Sequence, residues 1–180
     1  THVIPNSRLT IVAILALGAA VSWWLLRRHW REMSAFLRAE WRMLVVAEAV
    51  FLGFFFLWLF IVSEAPAINH TEKPMDFGFM NAVLRSRYFP PEDPWLAGHP
   101  ISYYYFGHFM MAFLTKLTSV ASSVGYNLAL VSLPALVGIG SFGLVYNLVR
   151  LSGGRGAPIP SGRSYAIGFG LVAPVLVMVI

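Results

Sequence analysis

The stretch of sequence that organises this chain is polar, and it reads HTEKPMDFGFMNAVLRSRYFPPEDPWLAGHPISYYYFGH from His70 to His108. Apolar runs lie on both sides of it. It carries four of the eight acidic residues, three of the five histidines and five of the eleven prolines. Asp, Glu and His side chains bind metals and transfer protons. Any chemistry performed by this chain is therefore expected in this segment.

The composition indicates an integral membrane protein. The chain is 58% hydrophobic and only 12% charged, whereas a soluble domain is about 25% charged. Its apolar runs reach about 20 residues, the length needed to cross a bilayer. The net charge of +5 comes largely from arginines that flank these runs, and no clustered basic and aromatic surface indicates a nucleic-acid partner. The absence of cysteine excludes disulfides, thiolate metal sites and cysteine nucleophiles.

The fold class predicted from the apolar runs is an all-α, polytopic helical membrane protein with about five transmembrane helices. One large extracytoplasmic loop is expected to carry a surface helix. Residues 1–62 would form two transmembrane helices joined by an arginine-rich cytoplasmic segment, 63–102 the loop, and 103–180 three further helices with the last one truncated. Both ends of the chain look cut, so we expect it to be the N-terminal part of a longer protein. The predicted spans are 9–26, 43–62, 103–120, 126–149 and 164–180.

The arginines predict which side of the cytoplasmic membrane each segment faces. Five of them lie in residues 27–42, which places this segment in the cytoplasm and loop 63–102 outside. Within it, Trp30–Trp41 would be either a helix on the membrane surface or an extension of the next span. Strict alternation then places the expected loop 151–163 outside, although Arg150, Arg155 and Arg163 lie in it or at its edge. Either the segment with five arginines dominates or 103–120 is re-entrant, and we favour the first.

The polar segment itself offers candidate ligands and bases. Residues 70–88 predict a surface helix, on which Glu72 and Asp76 share one face. A rigid, proline-rich turn follows and presents Glu92 and Asp93. Carboxylates at a membrane surface can hold a divalent cation such as Mg or Mn or act as a general base, and arginines bind phosphate. The alternative is that these charges are only solvated. The candidates are Glu72 and Asp76 for catalysis, Asp76, Glu92 and Asp93 for the metal, and Arg85 and Arg87 for phosphate.

The same segment carries a resemblance to a known family. From Thr71 to Gly107 it resembles the "YYY" membrane proteins, named for a tyrosine triplet that is Tyr103-Tyr104-Tyr105 here. That family looks like a distant branch of the GT-C glycosyltransferases, which take sugars from polyprenyl-phosphate donors and place an essential acidic residue in their first outer loop. The resemblance implies this role for Glu72 and Asp76 and a second acidic position at Asp93. It also implies that the three tyrosines line the donor or acceptor mouth. His108, one turn or so into the third predicted span, is a further candidate for substrate binding.

Two functions are therefore expected from the sequence. The first is the N-terminal part of a GT-C-like glycosyltransferase, with a polyprenyl-phosphate sugar and membrane lipid as partners. The second is a non-catalytic transmembrane subunit of a larger membrane complex, such as a respiratory or photosynthetic assembly. In that case the aromatic helices would pack against other membrane subunits and the loop would be a docking surface.

Overall fold

The computed structural model describes residues 4–152 and 162–179, and within these ranges the chain is helical. Apart from one isolated bridge between Glu92 and Pro100, the described residues form no β-structure. The predicted all-α class is confirmed. The helices are α1 (Arg8–Arg28), α2 (Trp30–Glu64), α3 (Lys73–Arg85), α4 (Phe106–Thr118), α5 (Ser122–Ser152) and α6 (Arg163–Val179).

Three of these helices, α1, α2 and α5, are long and apolar enough to cross a membrane. The fourth apolar helix, α6, has 17 residues. By contrast, α4 has 13 residues, which is about 20 Å at 1.5 Å per residue and falls short of the ~30 Å hydrocarbon core. The number of full spans is therefore smaller than the predicted five, because the third predicted span contains only this short helix.

Residues 30–64 form one continuous helix of 35 residues. The segment Trp30–Trp41 is therefore an extension of the second span and not a separate surface helix. The reason lies in the sequence, since no glycine or proline occurs between residues 30 and 52 to end the helix. The break before it falls at His29, which caps the C-terminus of α1.

The described chain separates into two compact units, the second of which contains residues 31–65 and 130–180. In this unit α2 and α5 run antiparallel, because Val50 packs with Phe142 while Tyr146 lies nearer the start of α2 and donates a hydrogen bond to Glu40 (3.3 Å). Helix α6 completes the core through Ala166. Gly138 and Gly170 allow close approach, since an added Cβ would meet the ring of Phe54 at 2.8 Å and that of Phe142 at 2.9 Å, respectively.

An ion pair joins the start of α6 to the first part of α2. Arg163 donates one hydrogen bond to Glu40 (2.8 Å) and another to the carbonyl of Ala39 (2.9 Å). The end of α5 and the start of α6 therefore lie at the same end of this unit as the arginine-rich start of α2. Arg155 and the central part of the expected loop, residues 153–161, lie outside the described residues.

The other unit contains residues 1–30 and 66–129. Its central pair is α3 and α4, together with the loop 86–105 between them, and we call this group the α3–α4 layer. The start of α5 contacts the residues that follow α2, because the Asn127 side chain donates a hydrogen bond to the Pro66 carbonyl (3.0 Å). The end of α4 is attached to the residues before α1, because Lys116 donates to the carbonyl of Asn6 (2.8 Å).

These contacts decide between the two topologies that the sequence left open. If α2 and α5 both cross the membrane, the start of α5 lies on the side where α2 ends, since Asn127 binds Pro66. The segment 103–120 then returns to the side from which it started. This arrangement favours the re-entrant alternative for 103–120 over the crossing one, which would place loop 151–163 on the opposite side from residues 27–42. The short length of α4 is the physical reason, because 13 residues cannot span the bilayer.

Gly125, near the start of α5, packs tightly against α4. An added Cβ would clash with the side chain of Thr115, which is 5% exposed and whose hydroxyl donates to the Met111 carbonyl. We expect Gly125→Ala to destabilise the fold by about 1–3 kcal/mol, as overpacking does. Gly107→Ala is the matched control, because nothing lies within 4 Å of that position. Thermal unfolding in detergent would measure both, and an equal effect of the two changes would contradict the close packing.

Candidate functional site

Asp76 and His108 form a side-chain hydrogen bond between α3 and α4. The Nε2 atom of His108 lies 3.2 Å from Oδ1 of Asp76. The Nδ1 atom of the same ring is buried without a hydrogen-bond partner among the described residues. The Asp76 side chain is 33% exposed and that of His108 18%, so the carboxylate is the more accessible of the two groups. In this pair His108 can orient the carboxylate, and Asp76 is the group that can receive a proton.

Phe79 is the aromatic residue around which this site is built. It is 5% exposed, and its ring lies 5.7 Å from that of His108, 5.2 Å from Trp95 and 5.3 Å from Tyr103 between centroids. It stands one turn after Asp76 on α3. The sequence analysis did not select it. The sequence does contain a signal for it: Phe79 follows Asp76 by three residues, so that the two share a helix face, and an aromatic loop comes next in the chain.

The three tyrosines have different environments. Tyr103 stacks on Tyr104 with ring centroids 4.0 Å apart, and its hydroxyl donates to that of Tyr104 (2.7 Å). Tyr104 is 78% exposed, so the pair presents one accessible face. Tyr105 instead packs against Phe79 and Ile101 at the start of α4. The Tyr103 ring is stacked between Phe79 and Tyr104, so the triplet supplies one accessible ring, that of Tyr104.

Tyr103 should remain a neutral phenol at all physiological pH values. Its hydrogen bond to Tyr104 and the negative charges of Glu72 and Asp76 raise its pKa from 10.0 to about 12. Because the folded pKa is above the unfolded one, this contribution to stability is present below pH 10 and lost as pH rises through 12. A phenolate absorbance titration of the wild type minus Tyr103→Phe should show this late ionisation. In a Tyr104→Phe background the pKa of Tyr103 should move back towards 10. An unchanged pKa would contradict the role of the Tyr104 hydrogen bond.

The remaining candidates lie at a second place in the layer. Arg85, Arg87, Glu92 and Asp93 line a pocket of about 500 Å³ at the C-terminal end of α3. Nine residues separate Asp76 from Arg85, which corresponds to about 14 Å along the axis and two and a half turns, so that their side chains leave opposite faces of the helix. The structure therefore does not bring the predicted base and the predicted phosphate-binding arginines together.

The predicted metal ligands Asp76, Glu92 and Asp93 do not form a metal site in the described structure. No group of three or more His, Cys, Asp or Glu side chains suited to a metal occurs in residues 4–152 or 162–179. Asp93 is already engaged, because its Oδ1 atom accepts the backbone N–H groups of Trp95 (2.8 Å) and Leu96 (3.1 Å). Glu92 and Asp93 line the pocket at the end of α3 while Asp76 contacts His108, so the three predicted ligands are not gathered at one point, and we assign no step to a divalent cation.

Glu72 occupies the N-cap position of α3. Its side chain is exposed and makes no capping hydrogen bond. Its negative charge nevertheless acts on Tyr103, together with that of Asp76. Of the two predicted catalytic acids, only Asp76 is held in place by another side chain.

The fold and this site define an all-helical membrane protein with a polar, aromatic layer between its spans. The model of one family matches residues 1–180, and that family is described as "Uncharacterized membrane protein (DUF2298)". The chain therefore belongs to the DUF2298 family of membrane proteins. No curated protein and no solved structure matches the chain.

Proposed function

We propose that the α3–α4 layer is the acceptor-activating site of an extracytoplasmic membrane glycosyltransferase that uses a polyprenyl-phosphate sugar donor. The observation that carries this proposal is the contact between His108 and Asp76, whose charge acts on the stacked pair of Tyr103 and Tyr104. A carboxylate that is held by one oxygen and has a side chain 33% exposed is suited to accept a proton from a hydroxyl group. The neighbouring exposed ring of Tyr104 offers a flat surface against which a sugar can lie.

The reaction forms one bond and breaks one bond. The acceptor oxygen attacks the anomeric carbon of the donor sugar, and its proton passes to the Asp76 carboxylate. The bond between that carbon and the donor phosphate breaks, and polyprenyl phosphate leaves with the bonding electron pair. His108 acts as a positioning residue, since its contact with Oδ1 fixes the orientation of the carboxylate.

Lys73 is better placed than the predicted arginines to bind the donor phosphate. It precedes Asp76 by three residues on α3, so that the two side chains are neighbours on the helix surface. Arg85 leaves the opposite face at a distance of about 14 Å along the axis. The distance between a general base and the departing phosphate in one transfer step is much shorter than this. We therefore assign the donor phosphate to Lys73.

A second function is favoured by a separate observation. The most apolar windows of α1 and α2 are only 6% and 0% buried, and large aromatic residues such as Phe60 are exposed. Such faces contact lipid or other membrane chains. The second candidate is therefore a non-catalytic subunit that packs these helices against partner subunits.

One assay separates the two functions. The protein, purified from its native membrane and reconstituted in liposomes, would be given labelled polyprenyl-phosphate sugars. Release of polyprenyl phosphate with transfer of the sugar to a hydroxyl acceptor supports the enzyme. Stoichiometric association with other subunits together with an absence of turnover would instead support the second candidate.

A further inference from the structure

Two neighbouring cavities differ in chemical character, and both lie in the unit that contains α1, α3 and α4. One is the polar pocket of about 500 Å³ that is lined by Arg85 and Arg87. The other is a groove of about 440 Å³ with an almost entirely apolar lining, formed by the first turns of α1 and one side of α4. Both have volumes in the range of small-molecule sites, about 300–1,000 Å³. Neither contains Asp76 or His108.

The two cavities share a wall. Phe89 lines both of them, and its ring meets that of Phe109 edge-on at 5.2 Å. Asn6 lines the groove and is tied to the pocket, because its backbone N–H donates to the Arg87 carbonyl (2.7 Å) and its side chain to the Ser86 carbonyl (3.0 Å). The pocket and the groove are therefore fixed next to each other.

The charges of the pocket favour an anionic group. Arg85 and Arg87 are exposed, and neither forms an ion pair with a carboxylate in the described part of the chain. Of the two acidic residues in the lining, Asp93 is held by two backbone N–H groups. Two guanidinium groups without a carboxylate partner, one of them (Arg87) over the ring of Tyr88 at 5.6 Å, thus share the lining with the carboxylate of Glu92. Guanidinium groups bind phosphate by paired hydrogen bonds.

The position of the groove suits a bilayer lipid. It is lined by Thr10, Ile11 and Ile14, which belong to the first turns of the membrane-spanning helix α1. The groove therefore leads from the surface layer along this helix into the leaflet beneath it. A lipid whose phosphate group binds the two arginines would place one acyl chain beside Ile14. That chain would remain within the hydrocarbon core of the bilayer.

We infer that these two cavities together form a binding site for one anionic phospholipid, with its phosphate at Arg85 and Arg87 and one acyl chain in the groove between α1 and α4. This site is separate from the proposed acceptor site, because Arg85 lies about 14 Å along α3 from Asp76 and on the opposite face, and Arg87 follows the end of the helix. It does not depend on glycosyl transfer. It also explains why two arginines at the end of α3 have no carboxylate partner.

Native mass spectrometry of the delipidated protein in neutral detergent tests this inference, with phosphatidylglycerol as the probe. We expect one tightly bound lipid, and an affinity lowered about tenfold or more by Ile14→Trp, which fills the groove, and by Arg85→Gln combined with Arg87→Gln. Leu15→Trp and Arg28→Gln are the matched controls, since neither residue lines a cavity described above, and both should leave the affinity unchanged.

Three results would overturn the inference. The first is equal retention of diacylglycerol, which lacks the phosphate. The second is an equal effect of Ile14→Trp and Leu15→Trp, which would show that the groove is not used. The third is displacement of the bound lipid by stoichiometric polyprenyl monophosphate, which would assign the site to a donor carrier. Each can be observed whether or not the protein transfers sugar.

Discussion

Asp76→Asn should lower the rate of sugar transfer by about 10²–10⁴-fold, the usual contribution of a positioned general base. Asparagine has nearly the same size, and its side-chain oxygen can still accept a hydrogen bond from His108. Its amide cannot take up the proton of the acceptor hydroxyl. The α3–α4 contact should therefore persist while the chemistry is lost, so that kcat falls and the KM for the donor changes little.

The control for this change is Glu64→Gln, which also converts an exposed acid to its amide at the end of α2. It should leave turnover unchanged. Thermal unfolding of both variants in detergent checks that neither has lost its fold. Full activity of Asp76→Asn would remove the base from the proposed mechanism, and equal loss in both variants would show that the effect is not specific to Asp76.

Variants of His108 separate positioning from proton transfer. His108→Gln keeps a side-chain N–H that can reach the Asp76 carboxylate, whereas His108→Phe fills similar space without a donor. If His108 acts by orienting Asp76, the glutamine variant should retain more of the kcat than the phenylalanine variant. Equal activity of the two variants would contradict the orienting role, because only one of them can make the hydrogen bond.

The sequence predicts the segment that carries the candidate site but not the geometry of that site. Helical spacing predicts that Glu72 and Asp76 share one face, and in the structure Glu72 caps α3, Asp76 lies in its first turn, and the charges of both act on Tyr103. It could not show that Arg85 leaves the opposite face of the same helix, because the expected helix had no fixed boundaries or neighbours. Nor could it show that Asp93 is engaged by Trp95, since such an Asx-type contact depends on the turn conformation.

The fold was predictable where local signals are strong. Apolar length identifies α1, α2 and α5, and the absence of glycine or proline explains why α2 continues from Trp30. The orientation of 103–120 was not predictable, because its composition suits either a short span or a helix in a surface layer. Long-range contacts decide it, notably the bond between Asn127 and Pro66. No local pattern encodes such a contact.

Cysteine labelling should divide the chain into two sides in an all-or-none manner. The chain contains no cysteine, so each introduced thiol is unique, and four exposed positions suit the purpose: Ala35, Ala97, Ala121 and Ser164. An impermeant maleimide added to intact cells should label Ala97→Cys and Ala121→Cys. It should label Ala35→Cys and Ser164→Cys only after the membrane is permeabilised.

The physical reason lies in contacts at the two ends of the spanning helices. Arg163 binds Glu40, so Ser164 and Ala35 belong to one end, where positive charge favours the cytoplasm. Asn127 binds Pro66, so the turn containing Ala121 lies on the side where α2 ends. Ala121 is the informative position, because a crossing helix at 106–118 would place it with Ala35. Labelling of Ala121→Cys only in permeabilised cells would therefore restore the third span and move loop 151–163 to the outer side.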